Sequence, residues 1–328
     1  LKRAGFVSIA GRPNAGKSTL LNALVGEKIA ITAHQAQTTR TSIQGVLTTA
    51  DAQIVFIDTP GIHKSDTLFN KRMMDSVRGA LQDRDLVLYL ADATKPVTEE
   101  DEHAVSALRK EGKALLVLNK IDRVDDKRLL LPLMQRYSEL FPFAESLPIS
   151  AAKGDGLEKL KQTIAQYLPE GQPFFPADYI TDQPLRFMAA EIIRESILRA
   201  VREEVPHASA ILVDTWEESK RLVKIAATIH VERQGQKIIV IGNQGQMLKT
   251  IGTSARIRLE ELVGRKVFLS LFVKVKPNWR EDPSFLNTVD WRSMVGADSM
   301  QSDSVLASDE AVGQPPAVKK PRKKAIRK

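Results

Sequence analysis

Residues Gly11 to Ser18 read GRPNAGKS, the spacing G-x-x-x-x-G-K-[ST]. A short β-rich run, Phe6–Ala10, precedes this stretch, and TLLNALVG, from Thr19 to Gly26, follows it with apolar residues at helical spacing. Strand, glycine-rich turn and helix start, in that order, make an anion site. The glycines let backbone N–H groups wrap phosphate oxygens, the helix N-terminus adds partial positive charge, and Lys17 adds a full one. Ser18 then falls where a hydroxyl ligates Mg2+. A phosphate loop in this setting predicts an α/β fold.

The neighbouring sequence carries the same pattern. Runs at Ile54–Asp58, Leu86–Ala91, Leu115–Asn119 and Leu147–Ser150 alternate with helical patterns such as Leu157, Leu160, Ile164 and Leu168. That alternation predicts parallel strands joined by crossover helices, an α/β doubly wound sheet. Thr41–Thr49 (TSIQGVLTT) fits one more strand, antiparallel to Ile54–Asp58. Four prolines between Pro169 and Pro184 then break the periodicity and predict an extended linker. A helical stretch (185–201), strands at 210–217 and 222–232, helix-like segments up to Val263 and a strand at 267–275 follow without βαβ order, an α+β arrangement. The expected division is a nucleotide-binding domain over 1–169, a linker over 170–184, a second domain over 185–290 and a disordered tail over 296–328.

Composition narrows the classes. The 328 residues include no cysteine, so a disulfide framework, a thiolate zinc site and a cysteine nucleophile are excluded. Apolar runs such as Ala114–Leu118 are far shorter than the roughly 20 residues that cross a bilayer. The opening LKRAGFVSIAG has no apolar core of signal-peptide length, and a cytoplasmic location is expected. The formal charge is +8, but seven basic residues fall in the final ten, Lys319–Lys328. The charge excess marks a basic tail, preceded by a Ser-, Asp- and Pro-rich stretch that cannot bury enough apolar surface to fold.

Three further elements complete the first constellation. Asp58-Thr59-Pro60-Gly61 ends a strand, putting a carboxylate near the Mg2+ shell and the N–H of Gly61 where a γ-phosphate would lie. Asn119-Lys120-Ile121-Asp122 ends another. The Asp122 carboxylate can accept from both N1–H and the 2-amino group of guanine, a donor pair that adenine lacks, and such a site discriminates by roughly 10⁴ or more. Asn119 would hold the base edge and the loop, and the stem of Lys120 would cover the ring face. Ser150-Ala151-Ala152-Lys153 would offer backbone N–H to the guanine oxygen.

These elements resemble the nucleotide-binding boxes of translation-factor-class P-loop GTPases, and GRPNAGKS with DTPG resembles the Era branch. The resemblance implies GTP hydrolysis with Mg2+ held by Ser18, Thr39 and Asp58. Its GTP-binding positions are Gly11, Arg12, Pro13, Asn14, Ala15, Gly16, Lys17, Ser18 and Thr19, then Asp58 to Ile62, Asn119 to Asp122, and Ser150 to Ala152. AQTTR, Ala36–Arg40, matches the first switch segment, and only the resemblance prefers Thr39 over Thr38. One departure from Ras-like enzymes bears on mechanism. Ile62 follows the DxxG glycine where those enzymes carry a glutamine, and an alkyl group cannot orient water. The resemblance implies a potassium ion held by Asn14 in compensation, which makes Lys17, Asn14, Thr39 and Gly61 the catalytic positions. His63 reads as a solvated loop residue.

A second constellation is Gly242-Asn243-Gln244-Gly245, preceded by the apolar run IIVI (Ile238–Ile241). The residue pattern of that run reads as a strand. The surroundings RFMAAEIIRE, VERQGQK, VIGNQG and VKVKPNW resemble the type II KH domain of Era-like GTPases, in which a helix pair carries the GxxG loop. That resemblance implies that Lys237, Gly242, Asn243, Gln244, Gly245 and Lys249 bind single-stranded RNA. It further implies the 3′ end of small-subunit ribosomal RNA as the partner and small-subunit assembly as the process. Trp279 and Phe272 read as core or edge residues. Two rivals stand beside this reading, a slow-hydrolysing RNA scaffold and a GTPase peripheral on the inner membrane face through its basic tail.

Overall fold

Alternation along Leu86–Asp92 sets the layers of the first half of the chain. Leu86, Leu88 and Leu90 enter one core while Val87, Tyr89 and Ala91 enter another, all nearly inaccessible to solvent. A strand buried on both faces needs helices on both sides, which is why its sequence is an unbroken apolar run. The computed structural model describes residues 2–33, 38–61, 67–82, 84–108, 112–201, 205 and 207–290. The tail over 296–328 lies outside the described residues.

The elements of the first half are β1 (Arg3–Gly11), α1 (Lys17–Val25), β2 (Ile43–Thr48), β3 (Ala52–Asp58), α2 (Leu68–Gln82), β4 (Leu86–Asp92), α3 (Glu99–Ser106), β5 (Ala114–Asn119), α4 (Leu130–Leu140), β6 (Glu145–Pro148) and α5 (Leu157–Tyr167). They form a six-stranded sheet of order β2-β3-β1-β4-β5-β6, parallel except for β2, which pairs antiparallel with β3. Leu20, Leu21 and Leu24 of α1 and Leu160 and Ile164 of α5 close one face. Met73 and Val77 of α2, Val105 of α3 and Tyr137 of α4 close the other. The order reverses at β1, with β3 on one side and β4 on the other, and the carboxyl ends of strands at such a switch point leave a crevice for ligand.

The chain divides into two units, Leu1–Thr181 and Asp182–Lys328. Most of the segment read as a linker therefore belongs with the first unit. It lies along β3 and the edge strand β2: Phe174 and Phe175 N–H donate to Oε1 of the buried Gln53, Val46 N–H donates to Ile180 O, and Thr181 Oγ1 donates to Gln44 O. Proline content predicted the extended backbone, but the docking depends on Gln53, on the side of β3 that meets this segment.

The second unit contains α6 (Leu185–Ala200), β7 (Ala210–Glu218), β8 (Leu222–Val231), α7 (Gln234–Ile241), α8 (Gln246–Val263), β9 (Lys266–Val275) and α9 (Pro283–Val289). Its sheet runs β7-β8-β9, with β8 antiparallel to β7 and parallel to β9. Ile193 and Ile197 of α6, Val240 of α7 and Ile251 and Ala255 of α8 bury against Ala227, Ile229 and Val231. Reading Ile238–Ile241 as a strand from its residue pattern is corrected here, since the run lies in α7. Its burial has helical period, with Gln236 and Val240 inside and Ile238 and Ile239 at 61% and 48% exposure. Gln236 Oε1 accepts from the N–H groups of Glu232 and Arg233, a local cap that fixes the helix start. Trp279 is fully buried and donates its Nε1–H to Ala208 O, while Phe272 is exposed on the edge strand β9.

Candidate functional site

Four strand ends converge at the crevice. β1 ends at Gly11, β3 at Asp58, β4 at Asp92 and β5 at Asn119. Between β1 and α1 the chain turns through Asn14 at φ 65° and Gly16 at φ 100°. Gly16 is required there, because a Cβ would fall 2.4 Å from Asn119 Nδ2 as well as sitting in the left-handed region. Lys17 is buried at the helix start, and its Nζ donates to the carbonyls of Gly11 (3.1 Å) and Arg12 (2.9 Å). Its ammonium is thus held at the base of the loop.

Ser18, Thr39 and Asp58 meet beside that lysine. Ser18 Oγ lies 2.7 Å from Thr39 Oγ1 and donates to Asp58 Oδ2 at 2.7 Å, to which Thr39 Oγ1 also donates at 3.2 Å. All three are buried. Among the described residues Asp58 Oδ1 has no hydrogen-bond partner although it is inaccessible to water. A buried carboxylate oxygen left unpaired beside two hydroxyls is a set of hard oxygen donors suited to Mg2+. Burial pushes the Asp58 carboxyl up to about 6 against the pull of Lys17, Ser18 and Thr39. Burial likewise pushes Lys17 down to about 8, opposed by Asp58. Thr39, and not Thr38, is the threonine in the cluster.

The base-side loops are tied to one another. Asn119 Nδ2 donates to Ala15 O (2.9 Å) and its Oδ1 accepts from Ala151 N–H (2.9 Å), so one amide bridges the phosphate loop and the Ser150–Ala152 loop. Lys120, at φ 68°, donates to Asn14 O and to Asp92 Oδ2, each at 2.6 Å. Burial raises the Asp92 carboxyl, but hydrogen bonds from Lys120 and Thr94 outweigh it and hold the group below its usual range. The exposed Asp122 accepts from Ser150 Oγ at 2.6 Å, which holds its carboxyl below the ordinary value and keeps it an acceptor. Ile121 is half-buried against the apolar core.

Not every expected position faces the crevice. Thr59 is buried, with its hydroxyl donating to Ile9 O, and Pro60 is buried beside it. Pro13 packs close to Gly61, where a Cβ would come 2.8 Å from Pro13 Cγ. Ala36, Ile62 and His63 lie outside the described residues. Asp92 was missed from sequence; the available signal was its register opposite Asn119 on the adjacent parallel strand.

In the second unit, Gly242 caps α7 at φ 72°, Asn243–Gly245 form one tight turn with Gln244 at φ 51°, and Gly245 opens α8 at φ 79°. Asn243, Gln244 and Lys249 are exposed and Lys237 is half-buried. The turn is flanked on α7 by the exposed Ile238 and Ile239. A glycine-bounded turn at a helix start beside exposed apolar side chains can approach a phosphodiester closely and shelter bases.

Residues 6–120 match the family described as a 50S ribosome-binding GTPase, and residues 204–280 match the KH domain. The chain is 48% identical over 287 residues to the GTPase Era of Geobacter metallireducens, covering 87% of this chain and 96% of that protein. The chain belongs to the GTPase Era family. The Era of Lactobacillus helveticus is 47% identical over 290 residues, 88% of this chain and 95% of that one. Two solved Era structures are each 40% identical. A variant from Aquifex aeolicus bound to GDP·AlF4− has a TM-score of 0.85 and covers 88% of this chain and 99% of that one. An Era in complex with MgGDPNP and nucleotides 1506–1542 of 16S ribosomal RNA has a TM-score of 0.86, with 89% and 99% coverage.

Proposed function

We propose that this protein is a GTP-hydrolysing switch that grips single-stranded RNA, namely the 3′ end of small-subunit ribosomal RNA, and assists assembly of the small ribosomal subunit in the cytoplasm. The observation that carries the reading is the meeting of Ser18, Thr39 and Asp58 beside Lys17 at the phosphate loop. Family membership supports it, as does the relative solved with MgGDPNP and 16S ribosomal RNA.

Lys17, held by the Gly11 and Arg12 carbonyls, donates its remaining proton to a phosphate oxygen, and the loop N–H groups surround the phosphates. Ser18, Thr39 and Asp58 would hold Mg2+, which neutralises charge on the β- and γ-phosphates when bound. Asp122 accepts from N1–H and the 2-amino group of guanine, and Ser150 keeps that carboxylate ionised and aimed. Asn119 fixes both loops around the base. Gly61 brings its N–H to the γ-phosphate. The exposed Asn14, set in a left-handed turn, would hold an activating potassium ion, which would supply positive charge beside the phosphates. Exchange of potassium for sodium should therefore slow hydrolysis, and Asn14→Ala should make the two buffers equal. Equal rates in both buffers with the unaltered protein would remove that role.

The GNQG turn clamps the RNA backbone while Ile238 and Ile239 shelter bases. The deciding experiment for the nucleotide is Asp122→Asn. Loss of GTP affinity with gain of xanthosine triphosphate is expected, because the amide reverses one donor–acceptor pair. An unchanged guanine preference would refute the assignment.

A further inference from the structure

Arg12 lies in the phosphate loop, yet its guanidinium is spent on the N-terminus of α3. Nη1 donates to Thr98 Oγ1 (2.9 Å) and to Asp101 Oδ2 (2.7 Å), and Nη2 pairs with Glu100. Asp101 is the hub of this contact. It is only 3% exposed, and donors from four segments converge on it. Besides Arg12, Oδ2 accepts from Thr98 N–H and Thr98 Oγ1, both at 3.1 Å. Oδ1 accepts from Tyr137 Oη of α4 at 2.9 Å and Tyr89 Oη of β4 at 3.4 Å. Both phenols are buried, and burial together with the Asp101 charge pushes them above their usual range, so they remain donors.

A helix cap alone needs only the Thr98–Asp101 exchange. The remaining donors come from β4, α4 and the phosphate loop, and a carboxylate accepts from all of them as they stand. An asparagine avoids setting its NH2 group against Arg12 and the Thr98 N–H only by turning it to the tyrosines, whose hydroxyls must then accept, and either way it loses the charge that pairs with Arg12. At its other end Arg12 presents the carbonyl that accepts from Lys17 Nζ and from Ala15 N–H. One residue therefore joins the buried carboxylate to the lysine that meets phosphate.

We propose that Asp101 is a positioning residue for the phosphate loop: it holds Arg12, whose carbonyl holds Lys17, and so presets the loop for the phosphates of the nucleotide. The proposal rests on the guanine-nucleotide reading above. A preset loop lowers the ordering cost of binding, so the gain falls on nucleotide affinity and not on base choice or on the rate at saturation.

The test is a double-mutant cycle on the full chain, read by fluorescent GDP binding and by GTPase kinetics on folded protein. Arg12→Ala and Asp101→Asn should each weaken GDP about tenfold, and the double variant about tenfold again rather than hundredfold, since both losses pass through one contact. KM should rise with kcat held within about twofold. Arg12→Lys, which keeps a charge for Asp101, should recover most of the affinity, and Glu100→Gln, at an exposed partner, should change it little. If Asp101→Asn fails to fold, Arg12→Ala against Arg12→Lys still decides. Affinities within twofold of the unaltered protein, or losses that multiply in the double variant, would overturn the proposal even where melting temperature falls. Failure of the unaltered protein to bind GDP would overturn the nucleotide reading instead.

Discussion

Lys17 and Asp58 put two buried charges together where nucleotide and Mg2+ are to bind, and pH separates their costs. Burial raises the Asp58 carboxyl from 3.8 to about 6. A raised carboxyl favours the fold in its neutral form, so its contribution is complete below about 4 and is lost as pH rises through about 6. Burial lowers Lys17 from 10.5 to about 8. Its contribution is complete above about 10.5 and is lost as pH falls through about 8. Between about 6 and 8 the ligand-free protein carries both charges and neither contribution. Phosphates offset the Lys17 charge and Mg2+ the Asp58 charge, so thermal stabilisation by Mg-GDP should be greatest in that window. On either side it should shrink by roughly 2–4 °C for each kcal/mol recovered. Melting curves with and without Mg-GDP from pH 5 to 9 check this, and a flat or one-sided profile would contradict it. The sequence named both residues, because the motif spacing alone brings Lys17 to the strand end. It left Thr38 and Thr39 undecided, since which hydroxyl reaches Asp58 depends on a loop path with no periodicity. Asp101 and Asp92 carry no motif and become visible only when β4 and α4 are in place.

At the scale of elements, the turn between α7 and α8 shows where pattern reading fails and why. A run of branched apolar residues, Ile238–Ile241, has strand propensity, but propensity is weak against a capped start and a glycine stop. Gln236 supplies the first and Gly242 the second, and the four apolar residues are divided between core and surface at helical period. The six-stranded sheet was legible for the opposite reason, since doubly buried strands advertise themselves as unbroken apolar runs. The two glycines of the turn are not equivalent. A Cβ at Gly242 would meet Met247 Cβ at 2.6 Å and its N at 2.9 Å, whereas nothing lies within 4 Å of one at Gly245. Gly242→Ala should therefore cost about 2 kcal/mol or more in denaturant unfolding, from clash and left-handed strain together, and Gly245→Ala about 1 kcal/mol from strain alone. Replacing both Asn243 and Gln244 by aspartate should leave the fold intact and reduce RNA binding at least tenfold, because two negative charges would then face phosphates. Retained RNA binding in that variant, measured beside unchanged GDP binding, would remove the turn from the RNA site.

Charge belongs to the scale of the whole molecule, where it separates encounter from choice. The formal charge of +8 suggests a protein basic throughout, but the last twelve residues hold seven Lys and Arg, and without them the chain carries +1. Among the described residues no helix is long and apolar enough to cross a membrane. Phosphate neutralisation by lysine and arginine releases counterions, and the logarithm of affinity falls with the logarithm of salt by about 0.7 for each contact to single-stranded nucleic acid. On the proposed reading, contacts from the tail would add to that slope without reading bases, and the GNQG turn and its apolar flank would set the register on the strand. Deletion of residues 317–328 should lower the salt slope of RNA binding by about 2 or more if three of the seven charges meet phosphate, with the preference among RNA sequences retained. Fluorescence anisotropy at several salt concentrations, with a ribosomal 3′-end oligonucleotide and a scrambled one, separates the two effects. Loss of discrimination in the truncated chain would move specificity into the tail. An unchanged slope, with binding to anionic vesicles lost, would make the tail a membrane contact instead.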